Sequence, residues 1–147
     1  MAFTYTKYLK GISASPEANL SDILKRASFW ACSDALSYSD TGTEKTLFAH
    51  PANICILAVV PEVETALSGS ITAGPTLTVG DGSTTGLYGQ WSGVLMDAGS
   101  YPIWLFKECT SAGSIKATLT ATGSSAGSVK VWVLYQPNSN EQRVFTR

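Results

Sequence analysis

Several side chains in this chain are of types that do chemistry when suitably grouped. His50 is the only histidine. A Ser–His–Asp or Cys–His nucleophile needs an imidazole oriented by a third group, and a zinc site draws on several His or Cys ligands. One histidine before Pro51 reads as a turn residue instead. Cys32, Cys55 and Cys109 form no CxxC and no paired spacing, so they read as small buried hydrophobes in a reducing compartment. Glu62 and Glu64 lie two apart and share one side of a strand. Glycosidase carboxylates flank the bond from opposed positions roughly 5–10 Å apart, so this pair reads as a solvated edge or an intersubunit ion pair. Gly80–Asp81–Gly82–Ser83 lacks the lysine and following helix of a phosphate loop and the alternating ligands of a calcium loop. It reads as an Asp–Gly turn. No enzyme, cofactor or metal is expected.

The aromatic residues are the remaining candidates. Trp30, Trp91, Trp104 and Trp132, with Tyr88 and Tyr101, would suit either a sugar-stacking platform or core and interface packing. Tyr88, Trp91 and Tyr101, near the glycines 86, 89 and 93, carry the carbohydrate-binding or adhesin alternative.

These residues must be held by a single domain. At 147 residues the chain can bury roughly two thirds of its unfolded surface. It is 44% apolar and only 14% charged, where roughly one quarter is usual for charge, and that deficit fits a surface that meets other protein. A net charge of −1 provides no basic field for nucleic acid or anionic membrane. Neither a signal-peptide core nor a membrane-length apolar window is expected.

Charge divides the chain into an N-terminal arm with a short helix (1–45), a β-sandwich domain (46–136) and a polar tail (137–147). The helix spans Pro16 to Arg26, with Ser15 as N-cap, Pro16 at the first position, and Leu20, Ile23 and Leu24 as its apolar stripe. Phe29 to Tyr38 fits helix or strand. Thr46–His50, the Pro51–Asn53 turn, Ile54–Val63 and Thr76–Val79 read as the opening strands of an antiparallel sheet. Residues 84–93 suit a loop or a bulged edge. Tyr101–Cys109 alternates Ile103 and Leu105 against Trp104 and Phe106, so both faces are apolar. A final hairpin sets Ile115, Ala117, Leu119 and Ala121 beside Val129, Val131, Val133 and Tyr135, with Trp132 and Leu134 facing the other way. The fold class is mainly β, an antiparallel β-sandwich or jelly roll with an N-terminal arm and one short helix. An antiparallel sheet normally keeps one face polar, so strands apolar on both sides predict that the arm or another subunit covers the outer face.

The segments Thr46–Val60, Pro75–Gly82 (PTLTVGDG) and Ser114–Tyr135 (SIKATLTATG…AGSVKVWVLY) together resemble small tailed-phage virion proteins of the capsid decoration, or cement, type. The resemblance covers about two thirds of the chain and rests on turn and strand patterns. It implies a β-sandwich or jelly-roll module, often a homotrimer, on the outer surface of the virion capsid, made in the host cytoplasm and bound to the major capsid protein. Neither nucleic acid, membrane nor a small-molecule ligand is implied. The subunit contact is then expected at Trp104, Phe106, Trp132 and Leu134. The capsid-binding arm is expected to use Tyr5, Tyr8, Leu9, Leu20, Ile23 and Leu24. The charged segment 1–45 departs from the resemblance, and a tail or connector component of the virion is the neighbouring alternative.

Overall fold

A computed structural model describes residues 28–72 and 74–137. The strands are β1 (Phe29–Cys32), β2 (Leu36–Ser37), β3 (Glu44–His50), β4 (Ile54–Gly69) and β5 (Thr76–Gly80). They continue as β6 (Gly89–Ser92), β7 (Gly99–Ser100), β8 (Ile103–Cys109), β9 (Gly113–Thr120) and β10 (Ser124–Pro137). One sheet runs β1–β10–β4–β7, with β2 beside β10 and β8 beside β4; the other runs β3–β9–β5–β6. All pairings are antiparallel.

Two pairs of these strands are each one strand interrupted. β1 and β2 pair with successive parts of β10, and Ser33 fills the gap between them. Its N–H donates to Val131 O at 2.9 Å, and its Oγ accepts from Val131 N at 3.0 Å. β7 and β8 flank β4 in the same way, broken at Tyr101 and Pro102. Counted thus, eight strands remain, and they nest: first with last (β1/β2 with β10), second with seventh (β3 with β9), third with sixth (β4 with β7/β8), fourth with fifth (β5 with β6). The chain is a long antiparallel ribbon folded back on itself, then rolled so that β10 meets β4 and β9 meets β5. That topology is a jelly roll.

The core lies between the sheets. Leu77 and Val79 of β5, Ile115, Ala117 and Leu119 of β9, and Val129, Val131 and Val133 of β10 are each no more than 2% exposed. Their period of two points one side of every strand inward, and burying each large aliphatic contributes roughly 1.5–3 kcal/mol. Along β4 the inward set is Ile54 and Ile56, then Val59 and Val63, so the alternation slips by one residue. The slip coincides with a register shift against β10, where adjacent Leu134 and Tyr135 pair with Ala58 and Ile56, so that β4 carries one extra residue. It is a bulge.

The structure corrects three expectations. β9 and β10 do not form a hairpin: β9 sits between β3 and β5, so neither of its edges is left for β10. The inward faces assigned to both strands hold, but they oppose each other across the core. Likewise β3 and β4 belong to different sheets, and the Pro51–Asn53 turn, with Asn53 at φ 59, is a corner between them. Alternation reports which face of a strand is apolar and is silent about its partner, so the pairing depends on how the ribbon rolls. Finally, the sandwich begins at Phe29 rather than at residue 46, because β1 and β2 are part of the larger sheet. The helix expected over Pro16–Arg26 and the polar tail lie outside the described residues.

Candidate interaction surface

With the inward positions fixed, the outward side chains of the six-stranded sheet follow from register. Trp30 of β1 lies opposite Leu134 of β10, Leu134 opposite Ala58 of β4, and Ala58 opposite Trp104 of β8. These four residues form one apolar row across the sheet. The next row sets Cys32, Trp132 and Val60 side by side, and the one after it Lys130, Glu62 and Ser100. Trp30 is 53% exposed and Trp104 61%, while Ala58 between them is fully covered. A small residue in mid-row lets its larger neighbours close over it.

Among the described residues, no element of this chain covers the row. A tryptophan left more than half exposed forgoes much of the stabilisation its burial would provide. Phe106, at 67% exposure, goes further: its φ of 52 places a bulky residue in the left-handed region. It sits where β8 bulges, with Trp104 paired to Ala58 and Lys107 to Ile56. Left-handed backbone costs a residue with a Cβ about 1–2 kcal/mol, and no packing within the described chain offsets it.

Polar groups border the row. Trp132 Nε1 donates to Glu62 Oε2 at 2.6 Å, and Lys130 Nζ donates to Glu64 Oε1. The Glu64 bond, followed by the Glu64 charge, raises the Lys130 pKa and keeps this lysine cationic. Glu64 is therefore paired within its own chain at a partly solvated edge, the first of the two readings given for Glu62 and Glu64. An open depression beside the row is lined by Trp30, Val60, Glu62, Ser100 and Trp132.

The other candidates are structural. His50 borders a small slot between the sheets whose other walls include Phe48, Ile54, Ile115 and Val133, and its Nδ1 lies 3.0 Å from Pro51 O. No group placed for nucleophilic catalysis adjoins it in that wall. Among the described residues, no cluster of three or more His, Cys, Asp or Glu side chains could hold a metal. Asp81 Oδ1 accepts from Ser83 N at 2.8 Å and Thr84 N at 2.6 Å, and the Thr84 bond above all lowers the carboxyl pKa. Those bonds make the turn expected of Gly80–Ser83.

The carbohydrate-binding site expected at Tyr88, Trp91 and Tyr101 is not formed. Tyr88 and Trp91 are 4% and 6% exposed and belong to the core, and Trp91 Nε1 is spent on Tyr101 O at 2.7 Å. Burial pushes the Tyr88 hydroxyl up from its usual value, and that hydroxyl faces Cys109 Sγ. Tyr101 directs its own hydroxyl to Asp97 O. The three cysteines are free thiols, with Cys32 exposed and Cys55 and Cys109 half-buried.

Of the residues expected at a subunit contact, Trp104, Trp132 and Leu134 come together on this outer face and Phe106 lies at the bulge of the same edge strand. Tyr5, Tyr8, Leu9, Leu20, Ile23 and Leu24 lie outside the described residues. Sequence reasoning had not joined Trp30 to the set, because four residues of β1 are too few to show a period. The acceptor role of Glu62 carried no sequence signal.

The fold and surface define a class of architecture, the eight-stranded jelly roll. No protein-family model matches the chain, and no curated protein does. Solved structures do match. A chain of the acidic stable capsid structure of Helicobacter pylori bacteriophage KHP30 superposes with a TM-score of 0.63 at 18% identity, covering 78% of this chain and 91% of that one. A chain of the cyanophage Pam1 capsid asymmetric unit superposes with a TM-score of 0.55 at 21% identity, covering 76% and 86%. At these identities the likeness is one of fold.

Proposed function

We propose that this chain is a structural virion protein, a capsid cement or decoration protein that stabilises a phage head through protein–protein contacts. The observation that carries this reading is the uncovered apolar row Trp30–Leu134–Ala58–Trp104 on the outside of the sandwich. Support also comes from the fold, shared over most of its length with chains of two phage capsid structures. The row and the strained Phe106 serve a surface completed by assembly. In this reading Trp104, Phe106, Trp132 and Leu134 make the subunit contact of a homotrimer. The arm residues Tyr5, Tyr8, Leu9, Leu20, Ile23 and Leu24 reach the major capsid protein. Closed symmetry then multiplies modest contacts into firm attachment.

Size-exclusion chromatography with light scattering, followed by mixing with emptied heads, tests the proposal. A trimer that cosediments with heads is expected. A monodisperse monomer at micromolar concentration that leaves the heads bare overturns it.

A further inference from the structure

The depression beside the apolar row has a chemistry of its own. Trp30 and Trp132 are diagonal neighbours on adjacent strands and both line it, one as an exposed indole and the other held by its Nε1 bond to Glu62. That bond uses Oε2 of Glu62; Oε1 makes no hydrogen bond or ion pair among the described residues. Lys130 lies opposite Glu62 in the same row, but its ammonium donates to Glu64 Oε1 and makes no hydrogen bond to Glu62 among the described residues. Among the described residues, two carboxylates against one ammonium leave the patch with a surplus negative charge beside the indoles of Trp30 and Trp132.

We infer that this depression receives the guanidinium of an arginine presented by another protein chain. A planar guanidinium can lie against an indole face while its N–H groups reach a carboxylate, a combination that a compact ammonium matches less well. Ser100, across the depression, adds a hydroxyl acceptor to the opposite wall. The uncovered row next to it supplies apolar contact for whatever chain carries the arginine. The site is thus a polar anchor within an apolar interface, an arrangement in which charge sets register and partner choice. The assignment rests on the virion reading for the partner's identity alone.

The probe is the peptide Ac-Gly-Arg-Gly-NH2, with Ac-Gly-Gln-Gly-NH2 as control, titrated into the full chain. Indole N–H resonances are followed by NMR. The Trp30 and Trp132 signals are expected to shift saturably with the arginine peptide alone, while Trp91, buried and bonded to Tyr101 O, stays still. Glu62→Gln keeps an acceptor for Trp132 and is expected to weaken the response about fivefold, the worth of one exposed ion pair. Trp30→Ala, a truncation at an exposed position, is expected to weaken it by a similar factor of about 2–5. Equal shifts with both peptides, or an unchanged response in both variants, overturn the assignment. A chain that binds emptied heads yet ignores arginine refutes this site and spares the virion reading. One that binds arginine but not heads does the reverse.

Discussion

Trp91 Nε1 donates its hydrogen bond to Tyr101 O because Pro61 cannot. Register places Pro61 of β4 opposite Tyr101, since Glu62 pairs with Ser100 and Val63 with Gly99. Tyr101 N duly donates to Pro61 O at 3.0 Å. In such an antiparallel pair the reciprocal bond would run from residue 61 N–H to Tyr101 O, and proline has no N–H. The indole of Trp91, on an edge strand of the other sheet, takes the vacant acceptor at 2.7 Å and ties the two sheets together.

Trp91→Phe is therefore expected to destabilise the fold by about 1 kcal/mol, beyond the loss of buried volume, because a partly buried carbonyl loses its donor. In a Pro61→Ala background the backbone can supply that donor, so the same substitution should cost less. Denaturant unfolding of the four proteins checks this. Equal costs in both backgrounds would show that the two groups do not share one acceptor.

Ser33 stands in for a ladder residue where β1 gives way to β2, with its Oγ accepting from Val131 N and donating to Asp34 O at 2.7 Å. Ser33→Ala leaves the N–H of fully buried Val131 without that acceptor and should cost about 1–3 kcal/mol. Hydrogen exchange at Val131 should rise in step. A variant with wild-type stability and protection would contradict this role.

Asp40 closes a capping box with Ser37, accepting from Ser37 N at 2.9 Å, and pairs with Lys45 at 3.0 Å. The Ser37 bond first, and then Lys45, hold its carboxyl below the usual 3.8. The folded state thus binds its proton less readily than the unfolded state. The stability this contributes is present above the unfolded value and is lost as pH falls through the folded one. Asp40→Asn should flatten the acid limb of Tm against pH below about 4, the ordinary carboxylate range, by lowering the neutral plateau while the most acidic values stay close to wild type. An unchanged acid limb would show the carboxylate to be uninvolved.

Phe106 adopts φ 52 and is 67% exposed. Phe106→Gly should raise stability by about 1 kcal/mol by relieving the left-handed backbone, set against glycine's greater freedom when unfolded. On the proposed role it should also weaken attachment to heads. Calorimetry and cosedimentation on one preparation separate the two effects. A variant that is more stable and binds undiminished would remove Phe106 from the contact.

How far the sequence disclosed the fold depends on which physical signal each feature leaves. The inward faces of β9 and β10 were legible because Ile115, Ala117 and Leu119, like Val129, Val131 and Val133, alternate with polar or outward residues. Their separation into two sheets was not, since partner choice depends on how the whole ribbon rolls. The exposed pair Trp104 and Phe106 was visible as a strand apolar on both sides. The bulge that strains Phe106 left no mark, because it arises from a count mismatch against β4. For Trp91, among its glycines, the sequence leaves a sugar platform and core packing both open; its bond to Tyr101 O, an acceptor left vacant by Pro61 thirty positions away, carries no sequence signal.

Cryo-electron microscopy of the particle assembled from the genome that encodes this chain tests the proposal that it decorates a phage head. A jelly roll in regular, trimeric array on the outside of the head, with Trp104 and Leu134 buried between copies, is expected. Absence from the head, or a position only in the tail or connector, would contradict it.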